Sequence, residues 1–454
     1  MKVGLVCCSN GQQPEQRETI NQLITVLSDM GITCVKAQHL YAKDGVFSGT
    51  AKERADDVMA FFSDSQIDAV YDISGGDIAN EVLCHLDYER IAKTEKMFWG
   101  YSDLTTVINA IYAKTGKASV LYQVKHLAGD SARQRRERFW RSVIGGGEEL
   151  FRFSYTFLQG STMEGVVVGG NIRCLLKLAG TPYLPSLRGK ILLLESLHSS
   201  EAQLTAYFSQ LEQMGAFDEA AGVLLGTFTS LEKTESGLSP FALLSRHIRA
   251  DLPVARTPEV GHGADAKAVV IGRFLRLTEI KTKRLLLKPL GLQYLDTVHA
   301  YACDPENTKY MLYLPNDSMQ ETAGFLKNAD LEWKREHPSY YEFAILYEHT
   351  QVGAVSIYLN ADAKKQDGTV TEAEFGWIIS KKFWNRGIAF EAAQALLDYA
   401  RTELGISHFI AHCDSENAGS FRVMEKLGMK KADAYGGRKN KLSEEERIEY
   451  EYRM

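Results

Sequence analysis

The feature that most limits what this chain can fold into is the rhythm of its apolar runs, which changes twice along the sequence. In the first part, short apolar runs alternate with amphipathic stretches. Residues 3–8 are followed by helical spacing over 15–30, residues 32–37 by 51–63, and residues 69–73 lead into Ser74-Gly75-Gly76. Residues 97–100 form another short run, and 104–113 another helical one closed by Lys114-Thr115-Gly116. Strands separated by helices predict a parallel, doubly wound sheet of Rossmann type. After Gly145-Gly146-Gly147 the runs crowd together at 161–168, 190–194 and 222–226, with a helical stretch at 202–214. That spacing predicts a mixed α/β subdomain. Near 278–284 a third rhythm begins. Residues 284–289 open it as a strand, two helices follow, and 343–347, 353–359 and 372–379 read as consecutive antiparallel strands. The expected division is therefore 1–150, 151–277 and 278–454. A chain of 454 residues suits that number of domains. No Gly/Ser-rich linker marks the last junction, which predicts halves that pack rather than swing on a tether.

Composition narrows the class. Apolar residues make up 45% and charged residues 24%, the balance of a globular protein. A formal net charge of −6 carries no electrostatic footprint for nucleic acid. The basic run at 133–138 is short, mixed with acid, and reads as a solvated helix face. Seven cysteines, at 7, 8, 34, 84, 174, 303 and 413, form no CxxC pair and no Cys/His metal cluster, so no metal is expected. They read as buried thiols in a reducing compartment. The N-terminal apolar run is too short for a signal peptide, and no run approaches the ~18–20 apolar residues of a membrane span. A cytoplasmic protein without membrane or nucleic-acid partners is expected.

In Gly100-Tyr101-Ser102-Asp103, a strand runs through Gly-x-Ser straight into a helix. A serine there sits at a helix N-terminus, where free N–H groups favour developing negative charge. The second glycine of a G-x-S-x-G elbow is absent, and Ser102 or Asp103 can equally serve as a helix N-cap. A serine nucleophile needs a base, and the base an orienting carboxylate. Gly261-His262-Gly263 and Glu195, at the end of the apolar run 191–194, offer both, although each alone is weak.

Residues ~1–277 resemble the LD-carboxypeptidase family of serine peptidases. The resemblance is carried by Ser74-Gly75-Gly76, Leu86-Asp87-Tyr88, Gly100-Tyr101-Ser102-Asp103, Gly169-Gly170-Asn171, the Gly180-Thr181-Pro182 segment, Leu193-Leu194-Glu195 and Gly261-His262-Gly263. It implies a nucleophile at Ser102, a carboxylate at Glu195 and a general base at His262, with no cofactor. It further implies an oxyanion hole from backbone N–H groups of Asp103 and the Gly75-Gly76 turn, and dimers. Where cell-wall members tend to carry Arg after the Gly-Gly turn, this chain has Asn80. That, with the segment 109–116, is more similar to the microcin-immunity branch, which implies an aminoacyl-nucleotide or small peptide substrate contacting Asn80. Ser196, where an acidic residue is usual, and the 268–271 stretch depart from the family pattern.

In the third part, Trp384-Asn385-Arg386-Gly387-Ile388-Ala389 leaves a strand and opens a helix. Such a loop presents N–H groups to a phosphate, or is merely a tight connection. The stretch resembles the GCN-related N-acetyltransferases of the ribosomal-protein alanine acetyltransferase type. The matching pieces are Thr282-Lys283-Arg284-Leu285, residues 374–379, residues 384–389, Asn417-Ala418-Gly419-Ser420 and residues 425–429. The resemblance implies a GNAT domain with a mostly antiparallel central sheet, using acetyl-CoA. Arg386, Gly387, Ile388 and Ala389 would hold the pyrophosphate, Ile378 and Ile379 the splayed strand beside the cofactor, and Asn417 and Ser420 would lie near the thiol. Transfer to an amine needs a base and an acid. Glu374 is the expected base, or simply a solvated strand residue, and Ser420 the expected acid. Both halves together suggest detoxification of microcin-C-like compounds. Cell-wall muropeptide recycling, or one half acting as a non-catalytic sensor or scaffold, are the alternatives.

Overall fold

The computed structural model describes residues 1–129, 132–233, 237–363 and 370–454. The chain divides into two compact units, Met1–Leu275 and Arg276–Met454.

The first unit holds two six-stranded sheets. The first runs in the order Val269–Ile271, Ser119–Leu121, Met97–Gly100, Ala69–Asp72, Lys2–Val6, Thr33–Lys36. The five N-terminal strands are parallel, and Val269–Ile271 joins antiparallel to Ser119–Leu121. Parallel pairing demands crossovers and burial on both faces, and the apolar runs supply it: Val3, Leu5, Tyr71 and Trp99 pack with Ile20, Leu23 and Leu27 of the Arg17–Asp29 helix. The Ala51–Ser63 helix starts where the sequence signals it. Thr50 accepts the Glu53 N–H and the Glu53 carboxylate reaches back to Thr50, a closed capping box.

The second sheet runs Phe274–Thr278, Thr162–Asn171, Lys190–Ser196, Gly222–Phe228, Val254–Arg256, Thr156–Gln159. Its middle strands are parallel and the last is antiparallel. The helix Thr105–Thr115 ties this sheet to the first. Asn109 exchanges two hydrogen bonds with the Gly169 backbone, and Thr105 Oγ1 accepts the Asn171 N–H at 3.0 Å. Gly170 permits the approach, since a Cβ there would stand 2.7 Å from Thr105 Oγ1.

The second unit is an eight-stranded sheet ordered Ile280–Lys281, Leu285–Pro289, Tyr340–Tyr347, Thr350–Leu359, Glu372–Ile379, His408–Asp414, Arg447–Arg453, Lys430–Arg438. Every pairing is antiparallel except Glu372–Ile379 with His408–Asp414. Successive side chains alternate between two cores: Phe343, Ile345 and Val355 pack with Leu396 and Leu397, while Ala344 and Ala354 pack with Val298 and Leu326. The fold class is the one the sequence rhythm predicts: parallel-rich α/β first, then a mostly antiparallel sheet. Among the described residues, no helix is long and apolar enough to cross a membrane.

Candidate active site

Adjacent parallel strands deliver two pieces of a site to one edge of the first sheet. Ala69–Asp72 leads into Gly75-Gly76, and its neighbour Met97–Gly100 leads into Ser102. Loops at the carboxyl ends of parallel strands are where such sheets bind ligands. Ser102 adopts φ +55°, a left-handed conformation costly for a residue with a Cβ, and the chain turns there from strand into a short 3-10 turn. The regular helix consequently starts at Thr105, one residue later than the spacing predicts. Gly100 makes the turn possible, because a Cβ there would lie 2.7 Å from that of Leu104.

Neither Ser102 nor Asp103 caps the following helix through its side chain. Asp103 is buried and its carboxylate is committed elsewhere, accepting from Ser9 Oγ at 2.7 Å, the Ala79 N–H at 2.8 Å and Lys177 Nζ at 2.5 Å. Those bonds clamp the Ser102 turn to three separate segments and leave the Asp103 side chain unavailable for capping. Gly76 has φ +135° and lies against Asn10, where a Cβ would clash at 2.2 Å. Gly75 bridges to Asn10 and has open space at its Cβ position. Asn80 is exposed on the 3-10 helix Ala79–His85.

The second sheet supplies the acid–base pair. Glu195, 0% exposed, sits near the end of Lys190–Ser196. His262 Nδ1 stands 2.6 Å from Glu195 Oε2, and Asn171 Nδ2 donates to Oε1 at 3.0 Å. A carboxylate only accepts, so Nδ1 carries a proton, and in the neutral imidazole Nε2 is then the acceptor. Nε2 is buried and has no hydrogen-bond partner among the described residues. The Tyr101 ring, next in sequence to Ser102, packs 4.7 Å from the imidazole. No Ser102–His262 hydrogen bond is present. Two glycines let the histidine loop in: a Cβ on Gly261 would meet Thr227 Oγ1 at 1.9 Å, and one on Gly226 would meet the Val260 carbonyl at 2.5 Å. The roles of Asn171, Lys177 and Gly226 are not apparent from residue spacing. Their signal is buried polar pairing and close backbone approach, which only the folded chain reveals.

In the second unit, Glu372–Phe375 pairs in parallel with His408–Ala411, and the two strands then part. Gly376, Trp377 and Ile378 on one side and His412, Cys413 and Asp414 on the other line a cavity of ≈ 920 Å³, with Asn417, Ser420 and Glu374 also in its wall. Asn417 caps the helix Ala418–Lys426, accepting the Ser420 N–H at 3.1 Å. Glu374 is exposed and holds His412 Nδ1 at 2.9 Å, and that bond raises the imidazole's pKa above its ordinary value despite partial burial. The pyrophosphate candidates lie outside this cavity wall, at the start of the helix Ile388–Thr402. Gly387 takes φ +74° there, and Arg386 and Gly387 are exposed while the Ile388 side chain is buried. Ile388 and Ala389 can therefore offer backbone N–H groups, and Arg386 its guanidinium. Arg284 braces the loop, donating to the Arg386 carbonyl at 3.0 Å and pairing with Glu391 at 2.7 Å. Ile379 is buried and Ile378 faces the cavity. An exposed helix start beside a parted strand pair fits an extended thioester carrier with a phosphorylated end.

Residues 3–122 match the LD-carboxypeptidase N-terminal domain, 164–277 the LD-carboxypeptidase C-terminal domain, and 284–430 the acetyltransferase (GNAT) domain. A probable murein peptide carboxypeptidase of Bacillus subtilis is 29% identical over 282 residues, 60% of this chain and 86% of the relative. The microcin C7 self-immunity protein MccF of Escherichia coli is 26% identical over 254 residues, 49% and 74% of the two chains. An uncharacterized N-acetyltransferase of Bacillus subtilis, YnaD, is 31% identical over 153 residues, 34% of this chain and 82% of the relative. The solved structure of MccF in complex with glutamyl sulfamoyl guanosine shares the fold over 61% of this chain and 92% of its own, with TM-score 0.55 and 23% identity.

Proposed function

Since the chain belongs to the LD-carboxypeptidase family through residues 3–122 and 164–277 and to the GNAT acetyltransferases through residues 284–430, we propose that it inactivates aminoacyl-nucleotide or peptide antibiotics by hydrolysis and N-acetylation. Membership makes it an enzyme of two kinds, a serine carboxypeptidase-type hydrolase and an N-acetyltransferase. The observation that carries the hydrolytic half is the 2.6 Å bond from His262 to buried Glu195, with Nε2 unpartnered and the ring of Tyr101, the residue before Ser102, against the imidazole.

In the assigned mechanism, Ser102 Oγ attacks the scissile carbonyl while His262 Nε2 takes its proton, and Glu195 holds the ring in the required tautomer. The backbone N–H groups of Asp103 and the Gly75-Gly76 turn receive the oxyanion. His262 then returns the proton to the leaving nitrogen, and water repeats the sequence to free the acid. In the second unit acetyl-CoA supplies an activated acetyl group. Arg386 and the Gly387–Ala389 loop would hold its pyrophosphate, Ile378 and Ile379 would flank its arm, and Asn417 caps the helix that carries Ser420. Ser420 would protonate the departing thiolate, and the acidic wall on which Glu374 stands would receive the acceptor's ammonium proton.

The relatives include both an immunity protein and a murein peptide carboxypeptidase, so likeness alone does not select the substrate. Asn80, exposed near the Gly75-Gly76 turn, supports the aminoacyl-nucleotide class. Seven free thiols suit a reducing compartment, the cytoplasm, and pairing into a homodimer is part of the same reading. The test is to incubate the purified chain with an aminoacyl sulfamoyl adenosine, with and without acetyl-CoA, and follow the mass of the products. Cleavage that is lost in Ser102→Ala, together with acetyl-CoA-dependent acetylation, is expected. No change to the compound, with D-alanine released instead from an L,D-linked tetrapeptide, refutes the detoxifying role in favour of cell-wall recycling.

A further inference from the structure

The acetyltransferase cavity contains a second carboxylate that residue spacing does not single out. Across the sheet, Glu342 lies opposite Ser356, and Tyr358, two residues along the same strand, lies opposite Glu374. Side chains two apart on a strand share a face, so Glu342, Ser356, Tyr358 and Glu374 all project to the same side, and all four line the cavity. Their neighbours Phe343, Val355 and Phe375 fill the opposite core.

The two carboxylates differ in surroundings. Glu374 is exposed and occupied by His412, whose pKa its hydrogen bond raises. Glu342 is 5% exposed, and one of its oxygens accepts from Tyr358 Oη at 2.5 Å. Among the described residues it has no salt-bridge partner, and its second oxygen accepts no hydrogen bond. The titratable groups facing it are Tyr340 on its own strand, Tyr358 on the adjacent strand and Tyr301 from the helix Leu295–Ala302, with Glu374 one strand further on, beside Tyr358. Glu321 and Glu449 extend the acidic lining, with Arg438 and His412 as its cations. Burial pushes the Glu342 carboxyl from 4.5 up to about 7, against the opposing pull of the Tyr358 hydrogen bond. A base works best when its pKa lies near the operating pH, and a carboxylate in this range can both accept and release a proton there.

We propose that Glu342 is the general base of acetyl transfer, and that Glu374, paired with His412, is a positioning residue for the incoming cation. The proposal rests on the reading that this cavity is where the amine acceptor binds. An N–H bond of the acceptor ammonium breaks and its proton passes to the free Glu342 oxygen. The nitrogen lone pair then forms the C–N bond as the C–S bond breaks, Ser420 gives its hydroxyl proton to the thiolate to form the free thiol, and the nitrogen's second proton restores the Ser420 hydroxyl. Glu342 returns its proton to water, so each turnover releases one proton to solvent and the enzyme is unchanged.

The test has two arms on the full chain. The first needs no acceptor: infrared difference titration of the wild type against Glu342→Gln should show a protonated carboxyl band that disappears with a midpoint near 7 and is missing in the variant. A midpoint in the ordinary carboxylate range overturns the proposal. The second follows acetyl transfer to an aminoacyl sulfamoyl adenosine and, separately, to glycinamide. Glu342→Gln should lower kcat by about 10²- to 10⁴-fold and abolish the acidic limb of the kcat/KM profile, with acetyl-CoA affinity retained. Tyr358→Phe, which removes the bond favouring the anion, should move that limb to higher pH. Glu374→Gln should mainly raise KM. A larger kcat loss in Glu374→Gln than in Glu342→Gln overturns the assignment. Acetylation of glycinamide but not of the nucleoside refutes the proposed substrate while leaving the base testable in the same variants.

Discussion

Removing the His262 imidazole probes whether the buried pair behaves as a catalytic dyad must. Glu195 is fully buried and its carboxylate has two side-chain donors, Asn171 at 3.0 Å and His262 at 2.6 Å. His262→Ala leaves an anion in the interior with one neutral donor. Breaking a buried charged partnership in this way costs about 3–5 kcal/mol. For a unit of this size each kcal/mol lowers the melting temperature by roughly 2–4 °C, so a drop of about 6–20 °C is expected. In a Glu195→Gln background no charge is stranded, and the same substitution should cost only about 0.5–1.5 kcal/mol, the worth of an ordinary hydrogen bond. The coupling between the two substitutions should therefore be about 1.5–4.5 kcal/mol. Scanning calorimetry of the four proteins at neutral pH measures it, on the transition that moves. Equal costs of His262→Ala in both backgrounds would refute the reasoning, because the carboxylate would then not depend on the imidazole.

Two further outcomes follow from the same geometry. Ser102→Gly relieves the φ +55° conformation, so it should raise the stability of the first unit by about 1 kcal/mol while abolishing hydrolysis. Calorimetry beside a hydrolysis assay reads both, and a loss of stability would show that the turn is not strained. The Glu342 carboxyl has a folded pKa above its unfolded one, so the native state holds the proton more tightly. Its stabilising contribution is complete below 4.5 and disappears as pH rises through about 7, a change of roughly 3 kcal/mol. Urea melts of the wild type and Glu342→Gln should diverge across that window, the variant lacking this pH dependence, and parallel curves would contradict it.

Much of the architecture is legible in local pattern. The helix Ala51–Ser63 with its Thr50–Glu53 box, the strand Met97–Gly100 and the strand Glu372–Ile379 follow from periodicity and capping signals, which depend on residues within a turn or two of one another. The residues Ser102, Glu195 and His262 are recognisable through family motifs, yet no spacing rule states that His262 meets a carboxylate 67 positions away. Asp103 reads equally well as a helix cap until Lys177, Ser9 and the Ala79 backbone are seen to occupy it. The strand Val269–Ile271 reads as part of the second subdomain, but it completes the first sheet, because an edge strand is chosen by which partner's backbone is open to it. Glu342 is the sharpest case. Its position within an apolar run is visible in the sequence, while its protonation depends on desolvation by strands and helices brought together only in the folded chain. Local residue order thus specifies the periodicities, most of the elements and the family motifs. Burial, pairing partners and the acid–base character of the site were decided by the tertiary structure, because each depends on what packs across from a residue rather than on what precedes it.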